Sequence, residues 1–195
     1  MYSISNIIVQ VSINNFGVDT MAAWTAYSKI DFIFWMINSA FGISVMTFVG
    51  QNYGAGKWDR IRRGTKICLG MALISAVFVS IILMSAERFL FGIFVNDAGV
   101  VEIGIHMMNV IAPAYLLFAF IEVFSGALRA QGAVVVSTLI TMVGICVLRM
   151  IWVTLVAAHG TLEQVIICYP ITWAAGALAM SIYYIYKQRK IFQAR

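Results

Sequence analysis

The chain has 195 residues, of which 62% are hydrophobic and only 11% charged, with a formal net charge of +5 and a mean hydropathy of +0.92. A water-soluble domain devotes roughly a quarter of its residues to charge, so this composition excludes one. The chain reads instead as an all-α, polytopic membrane helix bundle of about six spans. Apolar stretches near ~20 residues recur after short breaks, as bilayer-crossing helices require, and the alternating ~10-residue segments of a membrane barrel are absent.

The first stretch, residues 1–16, covers only ~24 Å at ~1.5 Å per residue, against a hydrocarbon core of ~30 Å. It is unusually polar, carrying Asn6, Gln10, Ser12, Asn14 and Asn15, and reads as a truncated span before a turn at Gly17–Thr20. The second span, residues 21–49, contains Lys29 and Asp31 and ends where Gly50, Gly54 and Gly56 break the helix. A basic segment, Lys57 to Lys66, leads into the third span, residues 67–86. The fourth, residues 102–128, holds His106, Pro113 and Glu122; the fifth, residues 133–157, holds Arg149. A turn at His159–Thr161 precedes the sixth, residues 163–186. Pro113 and Pro170 each free a backbone carbonyl and are expected to kink their spans.

The charges fall on two sides. If odd spans run outward, one side collects Lys57, Arg60, Arg62, Arg63, Lys66, Arg129, Lys187, Arg189, Lys190 and Arg195, ten of the thirteen basic residues. The other side holds Asp19, Glu87, Asp97, Glu102 and Glu163, with Arg88 its one basic residue. Lys and Arg concentrate in short cytoplasmic loops, so the C-terminus is expected in the cytoplasm of a multi-pass plasma-membrane protein. The +5 charge is then a topology signal whose partner is the anionic bilayer surface, not nucleic acid.

A charged side chain at bilayer depth costs ~2.5 kcal/mol or more on insertion scales, so each one asks for a reason. Lys29, Asp31 and Arg149 read as a structural charge network near the outer interface, with Asp31 level with Arg149. Glu122 lies ~9 Å from the cytoplasmic end of its span and Arg149 ~12 Å from the outer end of its own, too far apart to pair. Glu122 is thus left without a basic partner, the position that suits a carboxylate exchanging a proton for a cation. With Asp31, Gln10 and Asn14 it makes up the candidate substrate- or ion-binding set. No GxSxG, Walker loop, HExxH or metal-spaced His/Cys/Asp cluster occurs, so neither an enzyme nor a resident cofactor or metal is expected. Cys68, Cys146 and Cys168 read as small buried hydrophobes.

At the end of the second span the motifs become specific. Phe48-Val49-Gly50-Gln51-Asn52-Tyr53-Gly54-Ala55-Gly56-Lys57 with Asp59-Arg60 and Arg63-Gly64, Ala112-Pro113-Ala114-Tyr115, Glu122 through Arg129, Cys146 through Trp152, and Tyr169 through Trp173 follow in order. Together they resemble the C-terminal half of the multidrug and toxic compound extrusion (MATE) family. That resemblance implies one six-helix lobe of a twelve-helix transporter, beginning partway into the seventh helix, with an N-terminal lobe as its partner. It implies antiport of drugs or organic cations, amphipathic small molecules, against protons or sodium ions. In that family an acidic residue on the tenth helix often takes part in coupling; Glu122 is the carboxylate on the matching helix and a candidate for transient sodium binding. Two other readings remain open: a flippase for lipid-linked sugars of related helical arrangement, and a non-transporting or half-size membrane subunit. The flippase would call for a more cationic cavity than Gln10, Asn14 and Glu122 provide.

Overall fold

The structure, a computed structural model, describes residues 2–156 and 160–193. Helix α1 is Tyr2–Asn14, α2 is Val18–Gly54, α3 is Trp58–Ser85 and the one-and-a-half-turn α4 is Glu87–Gly92. Helix α5, Ala98–Ala130, is interrupted by a 3₁₀ turn at Ala112–Ala114. Helix α6, Val134–Leu155, carries a π-helical stretch at Met142–Val147. Helix α7 joins a short start, Leu162–Ile166, to the long Cys168–Gln193. No strand occurs among the described residues. Ala157, which the sequence places at the end of the fifth span, and His159, placed in the turn that follows, lie outside the described residues.

Five helices, α2, α3, α5, α6 and α7, are long and apolar enough to cross a membrane. Helix α1 is not: its 13 residues rise only ~20 Å. The outer surface agrees with a lipid environment. Helix α3 exposes Ile67, Met71, Ile74, Phe78 and Ile81 along one stripe, an apolar patch that water would penalise. The helices extend past the apolar stretches that reveal them in the sequence. Residues Trp58 to Lys66, a connecting segment by hydropathy, form the first turns of α3.

Two helix ends at the basic side of the bundle are built alike. Glycine does not break α2 at Gly50 or Gly54, which remain helical; the break falls at Gly56, with φ +66°. There the Lys57 amide donates to the Asn52 carbonyl at 2.8 Å, the long-range closure of a helix stopped by a left-handed residue. Gly132, φ +78°, stops α5 the same way, with the Ala133 amide on the Leu128 carbonyl at 2.9 Å. At the opposite side Asp97 caps α5, its carboxylate accepting from the Gly99 and Val100 amides at 2.7 and 3.2 Å.

Helix α5 is the central element and packs on α2, α3 and α7. Its contact with α2 is backbone-close. A Cβ on Gly126 would stand 2.6 Å from the Gly42 carbonyl oxygen, so only glycine permits the approach. Pro113 produces the 3₁₀ turn, and the Ser80 hydroxyl donates to the Ala112 carbonyl there at 2.9 Å. Pro170 acts on the carbonyl four residues earlier, and α7 accordingly breaks at Ile167, just before the long segment begins.

Candidate functional site

One face of α2 presents Trp24, Tyr27 or Ser28, Asp31 and Trp35, spaced by three or four residues as a single helical stripe requires. Opposite it stand Asn6 and Gln10 of α1, Arg149 of α6, and Tyr169 and Trp173 of α7. These side chains enclose a cavity of about 280 Å³. It opens into a shallower groove that shares Gln10, Trp24 and Ser28 and adds Thr25, Lys29 and Phe32. The wall is therefore aromatic, with one carboxylate and one guanidinium set into it.

Asp31 is 9% exposed, and each of its carboxylate oxygens accepts a hydrogen bond. The Trp35 indole N–H donates to Oδ2 at 2.5 Å, and the Tyr115 hydroxyl of α5 donates to Oδ1. Tyr115 is itself 3.3 Å from the Tyr27 hydroxyl and stacks on Phe34 with centroids 3.8 Å apart. These neutral donors spread the carboxylate's charge without neutralising it.

Arg149 is 2% exposed. Nη1 donates to Asn6 Oδ1 at 2.9 Å and Nη2 to Thr172 Oγ1 at 3.5 Å. Its guanidinium carbon lies 4.1 Å from the Tyr169 ring centroid, a cation–π contact. The Nε hydrogen is buried and has no partner.

The charge network read from the sequence is not present as such. Asp31 and Arg149 do line one cavity, but no salt bridge joins them; the salt bridge among the described residues links exposed Arg88 and Glu102 at 2.6 Å. Indole and phenol donors take the role assigned to Arg149, because they reach Asp31 from its own helix and from α5. Lys29 faces away, 5.3 Å from the Phe94 ring centroid, as its two-residue offset from Asp31 dictates. Of the polar residues of α1, Gln10 lines the cavity, whereas Asn14 is exposed and accepts from the Gln10 amide at 2.9 Å.

Glu122 is elsewhere. It is half-buried on α5, and its side chain lies over Gly42 of α2, where a Cβ would collide with Oε1 and come within 2.8 Å of Cγ. Gly42 is eleven residues further along α2 than Asp31, or ~16 Å toward the basic end. The two carboxylates thus occupy separate levels of the bundle, and Glu122 does not line the aromatic cavity.

The aromatic wall itself was missed by sequence reasoning. The signal was available in the spacing of Trp24, Tyr27, Asp31 and Trp35, and of Tyr169 and Trp173, each set recurring on one helical face. Tyr115, brought to Asp31 across 84 positions of sequence, had no such signal.

The fold and this cavity define a polytopic helical membrane protein with a charged, aromatic-walled chamber inside its spans. The sequence model described as MatE matches residues 1–155, and the chain belongs to that family. It is 24% identical over 197 residues to the probable multidrug resistance protein YoeA of Bacillus subtilis (strain 168), covering 98% of this chain and 42% of that protein. It is 22% identical over 158 residues to human multidrug and toxin extrusion protein 1, covering 78% of this chain and 28% of that protein. The Vibrio cholerae MATE transporter VcmN in its bent form superposes with a TM-score of 0.86 at 16% identity, over 96% of this chain and 43% of that one. The chain spans less than half the length of these relatives.

Proposed function

We propose that this chain forms one lobe of a plasma-membrane antiporter that exports organic cations or related amphipathic compounds in exchange for protons or sodium ions, with an N-terminal lobe as its partner. The observation that carries the reading is Asp31, a membrane-embedded carboxylate held by neutral donors in a cavity walled by Trp24, Tyr27, Trp35, Tyr169 and Trp173. Aromatic faces attract cations, and quaternary ammonium ligands are recognised by such cages. A carboxylate at the same site adds a charge that either a substrate cation or a coupling ion satisfies. The names of its relatives, which concern multidrug resistance and toxin extrusion, support the same class of cargo.

Glu122 is proposed as the coupling carboxylate, separate from the cavity. It lacks a hydrogen-bond or ion-pair partner and lies at the tight crossing of α2 and α5, where a change in its charge acts directly on helix packing. The basic end of the bundle, with Lys57 to Lys66 and the end of α7, is assigned to the cytoplasm.

The test is binding and efflux of tetraphenylphosphonium by the intact transporter, wild type against Asp31→Asn. Loss of a buried charge–cation contact, worth ~1.5–3 kcal/mol, is expected to weaken binding roughly 10- to 100-fold. Unchanged affinity would remove Asp31 from the substrate site. Arg149 in the wall favours a second reading, transport of an anionic lipid-linked sugar, because it supplies the cationic group that α1 alone does not. That reading predicts that Arg149→Gln, and not Asp31→Asn, abolishes cargo binding.

A further inference from the structure

A second cavity, of about 450 Å³, lies at the basic end of the bundle between the start of α3 and the end of α7, lined by Arg62, Lys66, Tyr184, Ile185, Gln188 and Arg189. This volume falls in the ordinary range for small-molecule sites, ~300–1,000 Å³. Its composition is divided. Arg62, Lys66 and Arg189 are exposed at its rim, while Ile185 and the Tyr184 ring form an apolar wall. The Tyr184 hydroxyl is buried without a hydrogen-bond partner. It faces the Thr65 hydroxyl, which itself donates to the Ile61 carbonyl at 2.8 Å. A ligand oxygen in the cleft would offer that hydroxyl a stronger acceptor.

The end of α7 is held in place by side-chain hydrogen bonds. Lys187 turns away from the cleft and donates to the Gln131 carbonyl at 2.8 Å, and the Gln188 amide donates to Gln131 Oε1 at 3.1 Å. These bonds tie α7 to the loop that follows α5. Arg189 is left on the cleft side, facing Arg62 and Lys66 of α3. Asp59 lines an adjoining depression with Arg62, Arg63 and Lys66, so among the described lining residues the balance stays positive.

The geometry points to a binding site for an anionic phospholipid of the cytoplasmic leaflet, its phosphodiester set among Arg62, Lys66 and Arg189 and its glycerol and upper acyl chain along Ile185 and Tyr184. A soluble phosphate would satisfy the cations but leave the apolar wall bare, and a zwitterionic headgroup would bring a choline cation to a rim of three basic side chains. The inference uses the cytoplasmic assignment of the basic end. It is independent of the efflux reading, because it is measured as binding.

Native mass spectrometry of the intact protein in detergent tests it, with dioleoyl-phosphatidylglycerol and dioleoyl-phosphatidylcholine as probes and glycerol 1-phosphate as soluble competitor. Each basic side chain near an anionic surface contributes roughly five-fold in affinity. The triple variant Arg62→Gln, Lys66→Gln, Arg189→Gln is therefore expected to retain phosphatidylglycerol about 100-fold less well. Tyr184→Phe is expected to lose roughly five-fold, the share of one hydrogen bond. Equal retention of the two lipids, or a triple variant that holds phosphatidylglycerol like wild type, overturns the assignment. Displacement by equimolar glycerol 1-phosphate reassigns the cleft to a soluble phosphate and overturns it as well. Should the triple variant misfold, photocrosslinking of wild-type protein to a diazirine-bearing phosphatidylglycerol decides: adducts on residues 62–66 and 184–189 support the site, and their absence there overturns it.

Discussion

The Tyr115 hydroxyl of α5 donates to Oδ1 of Asp31 on α2 and stands 3.3 Å from the Tyr27 hydroxyl, so the cavity carboxylate is fastened to the central helix. Tyr115→Phe deletes that donor while preserving the ring stacked on Phe34. A buried carboxylate that loses one of its two donors costs roughly 1–3 kcal/mol. Thermal unfolding in detergent should fall by several degrees. The proton or sodium dependence of efflux should change as well, since the group that sets the carboxylate's surroundings is gone. Trp35→Phe should alter the same dependence, because it removes the other donor. If both variants kept wild-type ion dependence, Asp31 would take no part in ion coupling and its role would be confined to cargo binding.

The α2–α5 crossing separates two glycines that look equivalent in sequence. A Cβ on Gly126 meets the Gly42 carbonyl at 2.6 Å and Val45 Cγ1 at 2.8 Å. Backbone cannot yield cheaply there, and Gly126→Ala should destabilise the protein by ~1–3 kcal/mol, the usual cost of overpacking. The three atoms nearest a Cβ on Gly42 all belong to the flexible Glu122 side chain. Gly42→Ala should therefore cost less in thermal stability while displacing Glu122. Its efflux defect is expected to match that of a Glu122 variant. The reverse order of stabilities would show that the crossing is looser than its distances indicate.

Topology is open to direct measurement. A single cysteine at Asp97, the cap of α5, is expected to react with a membrane-impermeant maleimide added outside intact cells. Cysteines at Arg62 and Lys190 are expected to react only after the membrane is opened. Labelling at Arg62 from outside would invert the orientation and place the basic cleft on the extracellular face.

Much of this arrangement was legible in the sequence, and the rest was hidden for specific reasons. Hydropathy revealed a helical membrane bundle, because a bilayer fixes the length of an apolar helix. It did not show that α3 begins at Trp58, since a helix leaving the membrane turns basic while its backbone continues unchanged. Gly50 and Gly54 looked like breakers, yet a break needs a left-handed residue, and that is Gly56. The π-helical stretch at Met142–Val147 had no sequence signal. There Gly144 lies against Gly176, a Cβ on the former falling 3.3 Å from the Cα of the latter, and such closeness depends on the partner helix. That Asp31 and Glu122 stand apart along the bundle follows from their helices and residue numbers. Their partners do not, because a carboxylate can be held by phenol and indole groups that no charge pattern reveals.

Glu122 carries the sharpest prediction, because its surroundings are unlike those of Asp31. It makes no hydrogen bond and no ion pair, and Arg129, two turns on, donates instead to Ser125 Oγ at 2.5 Å. Ser125 in turn accepts from Ser137 of α6 at 3.1 Å, so Arg129 is drawn into the α5–α6 contact and away from Glu122. A change of charge at Glu122 therefore meets no direct ion-pair partner, with Arg129 acting on it only from a distance, and its energy is expected to go into the packing of α2 over Gly42. Glu122→Gln keeps the volume and polarity that this packing needs but cannot gain or lose a proton. Expression and thermal stability should stay at wild-type levels. Tetraphenylphosphonium affinity should also hold within roughly two-fold, since the aromatic cavity lies ~16 Å away along α2. Ion-driven efflux should fall by ten-fold or more, equivalent to ~1.4 kcal/mol of lost coupling. Asp31→Asn should give the opposite pattern, with binding lost first. Wild-type efflux in Glu122→Gln, with its ion dependence intact, would show that Glu122 is a packing residue and that coupling resides at Asp31 or in the partner lobe.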